Sequence, residues 1–307
     1  DACAIIKNGV DEKSGLPIVT LYGKKKEPDA ADLKDIDVII FDIQDVGARF
    51  YTYISSLHYI MQGAAKNDKP VMIFDRPNPN GHYVDGPILN PNFQSFIGMH
   101  PVPVVHGMTI GEYGKMINGE GWLDGSQRAE LNVIPCKNYT HTTRYELPVN
   151  PSPNLPNQHS ILLYPSLCFF EGTSVSVGRG TLTQFQVFGH PDLPANEFSY
   201  SFMPVPGPGS TDPKLNGQLC QGKTLANIPL DYLYQSAGLD LNHLISAYSV
   251  LGENLFSRPD FFDLLAGSDR LRKQVLAGES VASITASWQS GLKEFRGVRE
   301  KYLLYPE

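Results

Sequence analysis

The sequence predicts an α/β protein, with a Rossmann-like, mostly parallel sheet domain at residues 1–138, expected to lack its N-terminal part, and a second α+β domain at 139–307, smaller than the complete first. Three observations carry this reading. In the first half, short apolar runs alternate with amphipathic stripes, as in parallel strands buried on both faces and joined by helices. Around Tyr139 the texture changes, and residues 148–165 are rich in Pro, Asn and Ser, as at a domain junction or an ordered loop. The 307 residues are 41% hydrophobic and 19% charged, enough for two cores and too apolar for wholesale disorder.

In chain order, the apolar run at 37–41 is the first strand. Phe50, Tyr53, Ile54, Leu57, Ile60, Met61 and Ala64 then share one helical stripe. The run at 70–74 repeats the buried-strand signal. After a Pro/Gly/Asn loop, 103–105 is a third candidate strand. Thr109 and Glu112 have capping-box spacing and open a helix to about Asn118, and Leu131–Ile134 is a fourth strand. The second half has a glycine-rich stretch at 172–180, a loose segment at 203–212, and helical patterns at 239–251, 261–276 and 280–302. The last docks through Trp288, Leu292, Phe295, Val298 and Tyr302.

Composition excludes several classes. Lys and Arg number 25 against 32 Asp and Glu, a net of -7 without a basic block, which argues against nucleic acid as a partner. No apolar run reaches the roughly 18 residues that span a bilayer. Cys3, Cys136, Cys168 and Cys220 form no C-x-x-C pair, so no metal site is expected, and free thiols and disulfides both stay open. The chain opens Asp1-Ala2-Cys3 without an initiator Met or leader pattern, so processing, or residues preceding Asp1, is expected.

Residues 217–224 match the phosphate-binding P-loop pattern, but polar, proline-bearing residues precede them and Pro229 soon follows. A P-loop needs a buried strand before it and a helix after it. There is also no G-x-S-x-G, H-E-x-x-H or strand-borne G-x-G-x-x-G, so no cofactor is expected.

Polar clusters at the strand ends remain, where open parallel sheets bind ligands. The first holds Asp42, Gln44, Asp45, Arg49 and Tyr51, the second Asp75, Arg76 and Asn78, the third His106 and Thr109. Each has a structural alternative: Asp45 as a helix cap paired with Arg49, Asp75 and Arg76 as loop supports, His106 as a core histidine. In the second half Glu171 precedes Arg179, whose flanking glycines let backbone approach a ligand while the guanidinium forks onto an anion; the structural alternative is a tight hairpin with Arg179 in an ion pair. Asn154 belongs to a rigid linker or to the wall of the site.

FDIQDVGARFYTY at 41–53, DRPNPNG at 75–81, HGMTIGE at 106–112, PSPNLP at 151–156, FEGTSVSVGRGT at 170–181 and SWQSGLKEFRGVREKYLLY at 287–305 resemble the exo-β-N-acetylmuramidase (NamZ-type) family along essentially the whole chain. The resemblance implies two domains with the site in the cleft between them. It also implies release of N-acetylmuramic acid from the non-reducing ends of peptidoglycan fragments, and an exported, extracytoplasmic protein. Members carry roughly a further hundred residues upstream, with a Gly-Pro-Glu-His-Gly motif whose Glu leads as catalytic acid. This chain is expected to begin after that motif and so to lack one member of the catalytic pair. The family's Ser-Glu-Gly-Arg-Gly-Thr also departs here, because Val177 follows Ser176.

Glycoside hydrolysis uses two carboxyl groups, about 5 Å apart for retention and about 6.5–9.5 Å for inversion. Glu171, Asp42, Asp75 and Asp45 are the carboxylate candidates, with His106 as helper. Gln44, Asp45, Arg49, Tyr51, Arg76, Asn78, Asn154 and Arg179 are the candidate substrate contacts. Arg179 comes first, then Arg49 and Arg76, as the fork for the lactyl carboxylate. The alternatives are a non-catalytic muropeptide-binding protein and, on fold analogy alone, a nucleotide-sugar transferase.

Overall fold

The computed structural model describes residues 7–21 and 23–307; Cys3 lies outside them. A small antiparallel ribbon, β1 (Gly9–Val10) and β2 (Pro17–Ile18), precedes a parallel sheet. The sheet contains β3 (Ile39–Phe41), β4 (Val71–Phe74) and β5 (Leu131–Ile134) in the order β3-β4-β5, with Ile39 opposite Val71 and Val71 opposite Leu131. Helices α1 (Tyr53–Lys66) and α2 (Ile110–Gly119) supply the crossovers. Ile54, Leu57, Met61 and Ala64 of the expected stripe are buried in one core with Phe41, Val71 and Ile73. The Thr109–Glu112 capping box is present.

Two sequence expectations need correction here. Strands buried on both faces are buried on one: alternation turns Ile40, Phe74 and Ile134 outward, and Ile40 is 52% exposed. Residues 103–105 do not join the sheet. Val105 makes isolated antiparallel bridges to Ala48 and Asp85, and the Val104 carbonyl accepts from Arg49 N. Pro103 has no N–H to give a ladder, so the segment stitches two loops together instead.

The second half starts with α3 (Gln158–Leu167), which runs into a 3-10 turn (Cys168–Gly172). An antiparallel sheet follows, β6 (Val187–His190), β7 (Tyr200–Phe202) and β8 (Cys220–Thr224), in the order β6-β8-β7. The residues of the P-loop pattern therefore run into a central strand, in which Gly222 pairs with Gly189, rather than a phosphate loop. Next come α4 (Leu230–Gln235), α5 (Asn242–Leu251), α6 (Pro259–Ala266), α7 (Arg270–Leu276), α8 (Val281–Ala286) and α9 (Gln289–Arg299). The helix expected over 261–276 is broken after Ala266 by Gly267, and that over 280–302 near Ser287. The result is an α/β protein with a parallel-sheet part and a C-terminal part of antiparallel sheet and helices. Cys136, Cys168 and Cys220 are free thiols.

The end of the chain returns to the first layer. Phe295 of α9 sits in the core of the parallel sheet, Arg299 donates to the Gly107 carbonyl at 3.1 and 2.7 Å, and Tyr305 donates to Asp75 at 2.6 Å. No helix among the described residues is long and apolar enough to cross a membrane.

Candidate active site

Past the carboxyl ends of β3 and β4, Arg76 pairs with Asp42 at 2.7–2.8 Å, both side chains more than 40% exposed. Water screens such a pair, leaving it near 0–1 kcal/mol and both groups available. Gln44 donates to the Asp45 and Pro77 carbonyls at 2.8 and 2.9 Å and holds the loop.

Asp45 is buried. One carboxyl oxygen accepts from Gly47 N at 2.7 Å; the other, Oδ1, has no partner. Burial pushes its pKa up to about 7. Gly47 is required there: its φ is +76°, and a Cβ would lie 2.3 Å from Asn78 Oδ1. His106 Nε2 is 3.9 Å from Asp45 Oδ2 and has no hydrogen bond, while its Nδ1 accepts from Met108 N at 3.2 Å. Burial pushes the imidazole down to about 3, so it is neutral, and the Met108 bond assigns its proton to Nε2.

A pH effect follows. An unfolded Asp titrates near ~3.9, whereas folded Asp45 keeps its proton to about 7. Between those values the folded state binds more protons, so stability falls as pH rises through this window. Asp45→Asn, which keeps an acceptor for Gly47, is expected to flatten the fall in a melting-temperature series from pH 4 to 8. An unchanged slope would remove Asp45 as its source.

Several predicted contacts serve the scaffold instead. Asp75 is expected as a catalytic group; it is half-buried and accepts from Tyr305 Oη at 2.6 Å, Thr109 Oγ1 at 2.7 Å, Gly111 N at 2.8 Å and Arg76 N at 3.0 Å. Those four donors make it the anchor between α2 and the C-terminal segment. Arg49, expected to grip the substrate carboxylate, is fully buried. Its guanidinium donates to the carbonyls of Pro87 (2.8 Å), Val102 (2.7 Å) and Leu265 (3.0 Å), far from solvent. Asn78 donates to Met108 O and accepts from Asn80 N, both at 2.8 Å, closing a turn. Tyr51 donates its hydroxyl to Pro151 O at 2.7 Å, leaving its ring as the feature that faces neighbours.

The two halves meet along a row of rings. Tyr53 packs on Tyr51 with centroids 5.1 Å apart, Tyr51 on Tyr164 at 5.9 Å and Tyr164 on Phe185 at 5.0 Å. Arg179 lies over Phe185, 5.1 Å from its centroid, and its Nε donates to Glu171 at 3.0 Å. The Arg179 and Glu171 side chains are 30% and 24% exposed. The terminal nitrogens of Arg179 make no hydrogen bond among the described residues. Asn154 is buried, donates to Gly209 O at 2.9 Å and leaves its Oδ1 unpartnered.

The structure thus assembles Tyr51, Arg179 and Glu171 along one row, with Asp45 and His106 as a buried pair among the strand-end loops. Arg49, Asn78 and Asp75 are each held in hydrogen bonds within the scaffold. Sequence reasoning missed Tyr164 and Phe185, indistinguishable from core aromatics, and Lys214, whose carbonyl partners leave no side-chain signature. A cavity of about 310 Å³ lined by Asn80, His82, Tyr83, Ser166, Asp240 and His243 is separate from the Glu171–Arg179 pair. Among the described residues no group of His, Cys, Asp and Glu suits a metal ion.

Comparison with known proteins is consistent along the chain. The family models for the N-terminal and C-terminal parts of exo-β-N-acetylmuramidase NamZ match residues 1–159 and 162–305. Peptidoglycan β-N-acetylmuramidase NamZ of Bacillus subtilis (strain 168) is 38% identical over 311 residues, covering 96% of this chain and 74% of that protein. A DUF1343 family protein of Bacteroides fragilis, with a 1.30 Å crystal structure, superposes with a TM-score of 0.92 at 48% identity, covering 97% of this chain and 82% of its own. A second from the same organism gives a TM-score of 0.81 at 26% identity, covering 96% and 82%. The chain belongs to the exo-β-N-acetylmuramidase NamZ family.

Proposed function

We propose that this protein is a glycosidase that releases N-acetylmuramic acid from the non-reducing ends of peptidoglycan fragments, in a cleft between residues 1–138 and 139–307. The observation that carries the reading is the Glu171–Arg179 pair at the end of an aromatic row, in a chain matched end to end by the family models. Glycosidase chemistry needs carboxyl groups in unlike environments. Glu171 is partly solvated and held by a cation; Asp45 is buried and keeps its proton to about neutral pH. Glu171 is the charged member, polarising the reacting sugar or its water, and Asp45 with neutral His106 is a proton reserve behind the loop. The partly exposed ring of Tyr51 packs on the sugar, backed by buried Tyr164. Arg179 keeps Nε on Glu171 and offers its terminal nitrogens to the lactyl carboxylate, which N-acetylglucosamine lacks. The same proposal includes export from the cytoplasm, a part in cell-wall recycling, and a Rossmann-like layer built on the parallel sheet.

The test uses the full-length protein with chromogenic β-N-acetylmuramide and β-N-acetylglucosaminide side by side. Turnover of the muramide alone is expected, and Arg179→Ala should raise KM for it by about 10- to 150-fold, as for loss of a charge-assisted hydrogen bond of ~1.5–3 kcal/mol. Binding of muropeptides without turnover would favour the non-catalytic reading, and equal turnover of both sugars would remove the lactyl group as the handle.

A further inference from the structure

Residues 203–217 contain neither helix nor strand, yet they touch three parts of the candidate site. Val205 N donates to Gly180 O at 3.0 Å, and Gly209 O receives Asn154 Nδ2 at 2.9 Å. Gly180, with φ +78°, has no room for a Cβ, which would lie 2.5 Å from Val205 O. The third contact is Lys214. Its Nζ donates to the carbonyls of Phe170 (2.8 Å), Thr173 (2.5 Å) and Val175 (3.1 Å), and the Glu171 carbonyl stands at 3.5 Å. An ammonium has three donors and no acceptor, so one side chain ties down the whole turn that carries Glu171. Among the described residues no carboxylate bonds to that ammonium, and the Glu171 side chain is turned to Arg179.

We propose that Lys214 is a positioning residue for the hydrolysis, its ammonium caged by the carbonyls of residues 170–175 so that Glu171 is held facing Arg179. This rests on the function proposed above. Removal of the ammonium leaves the Thr173 and Val175 carbonyls short of a donor, while Phe170 O keeps Thr173 N and Oγ1, and the turn relaxes to find others. A displacement of about 1 Å at a catalytic carboxylate costs on the order of 100-fold in rate.

The cage also has a pH dependence. Burial pushes Lys214 down to about 8, against the pull of Glu171. Arg258, Arg179 and Cys168 also face it, and its charge reaches His190 on β6. Loss of the proton as pH rises through about 8 removes one donor and the positive charge, so turnover should fall on that limb.

The experiment compares the full-length wild type with Lys214→Met and Lys214→Arg. Lys214→Met should lower kcat by about 10- to 100-fold with a smaller change in KM. Lys214→Arg, charged throughout, should recover part of kcat and carry the alkaline limb beyond pH 9. A folded Lys214→Met with wild-type kcat, or a Lys214→Arg profile with the limb still near pH 8, would overturn the proposal. Hydrogen–deuterium exchange of residues 170–176 needs no turnover: exchange should quicken in Lys214→Met, and equal protection refutes the cage. A wild type that hydrolyses no muramide counts against the function alone, since the exchange result still decides Lys214.

Discussion

Glu171→Gln in the full-length protein is expected to lower kcat/KM on a β-N-acetylmuramide by about 100- to 10,000-fold, the usual range for a lost acid–base or charge-stabilising carboxyl. Its melting temperature should barely move. The Glu171–Arg179 pair is partly open to water, at 24% and 30% exposure, and pairs of that kind contribute little to folding. Gln also keeps an acceptor for Arg179 Nε, so the geometry survives while the charge does not. Asp42→Asn is the informative control, because Asp42 is a carboxylate at a strand end too, paired with Arg76 in solvent. A loss confined to Glu171→Gln supports its role. If instead Asp42→Asn abolishes turnover and Glu171→Gln does not, the charged role passes to Asp42 and the aromatic row becomes a binding wall only.

The largest stability effect should come from Arg49→Met. Arg49 is fully buried and ties Pro87, Val102 and Leu265 together through one guanidinium, and Gly267 of the turn after α6 packs against it so closely that a Cβ there would lie 2.6 Å from Arg49 Nη2. Replacing it takes a donor from three carbonyls in a dry interior, of which Val102 O keeps Leu89 N at 3.1 Å, and each unmet acceptor costs about 1–3 kcal/mol. The expected total, after relaxation, is about 3–5 kcal/mol, comparable with breaking a buried ionic contact. Chemical denaturation at neutral pH checks it, and a loss below ~1 kcal/mol would mean that water reaches those carbonyls. Should enough Arg49→Met protein fold, its KM for the muramide should match the wild type, because the side chain faces the scaffold.

How much of this was legible in the sequence depended on where each signal resides. Short apolar runs named β3, β4 and β5 and an apolar stripe named α1, because both patterns are written into the chain locally. The Thr109–Glu112 cap was legible for the same reason: both partners are three residues apart. Glycines around an arginine pointed to Arg179, and the structure pairs it with Glu171, the ion pair that the sequence also allowed as a purely structural one. Residue type alone misled at Arg49, Asn78 and Asp75. A guanidinium, amide or carboxyl advertises hydrogen-bonding capacity but not direction, and the partners of Arg49 are carbonyls at positions 87, 102 and 265. Backbone acceptors look the same at every position, so Lys214 left no trace either. The open face of the parallel sheet was misread because a three- or four-residue apolar run carries no record of which side meets solvent.

The return of α9 to the first layer bears on how the protein is made. Phe295 completes the core of the parallel sheet, and Tyr302, Leu304 and Tyr305 bond to Glu120, Glu112 and Asp75. During synthesis the sheet layer therefore emerges nearly complete in sequence but open on one flank until residues near 295–305 leave the ribosome. At a translation rate of about 5–20 residues per second, that wait spans on the order of 10 seconds. The layer written first in the chain is thus sealed by residues made far downstream of β5.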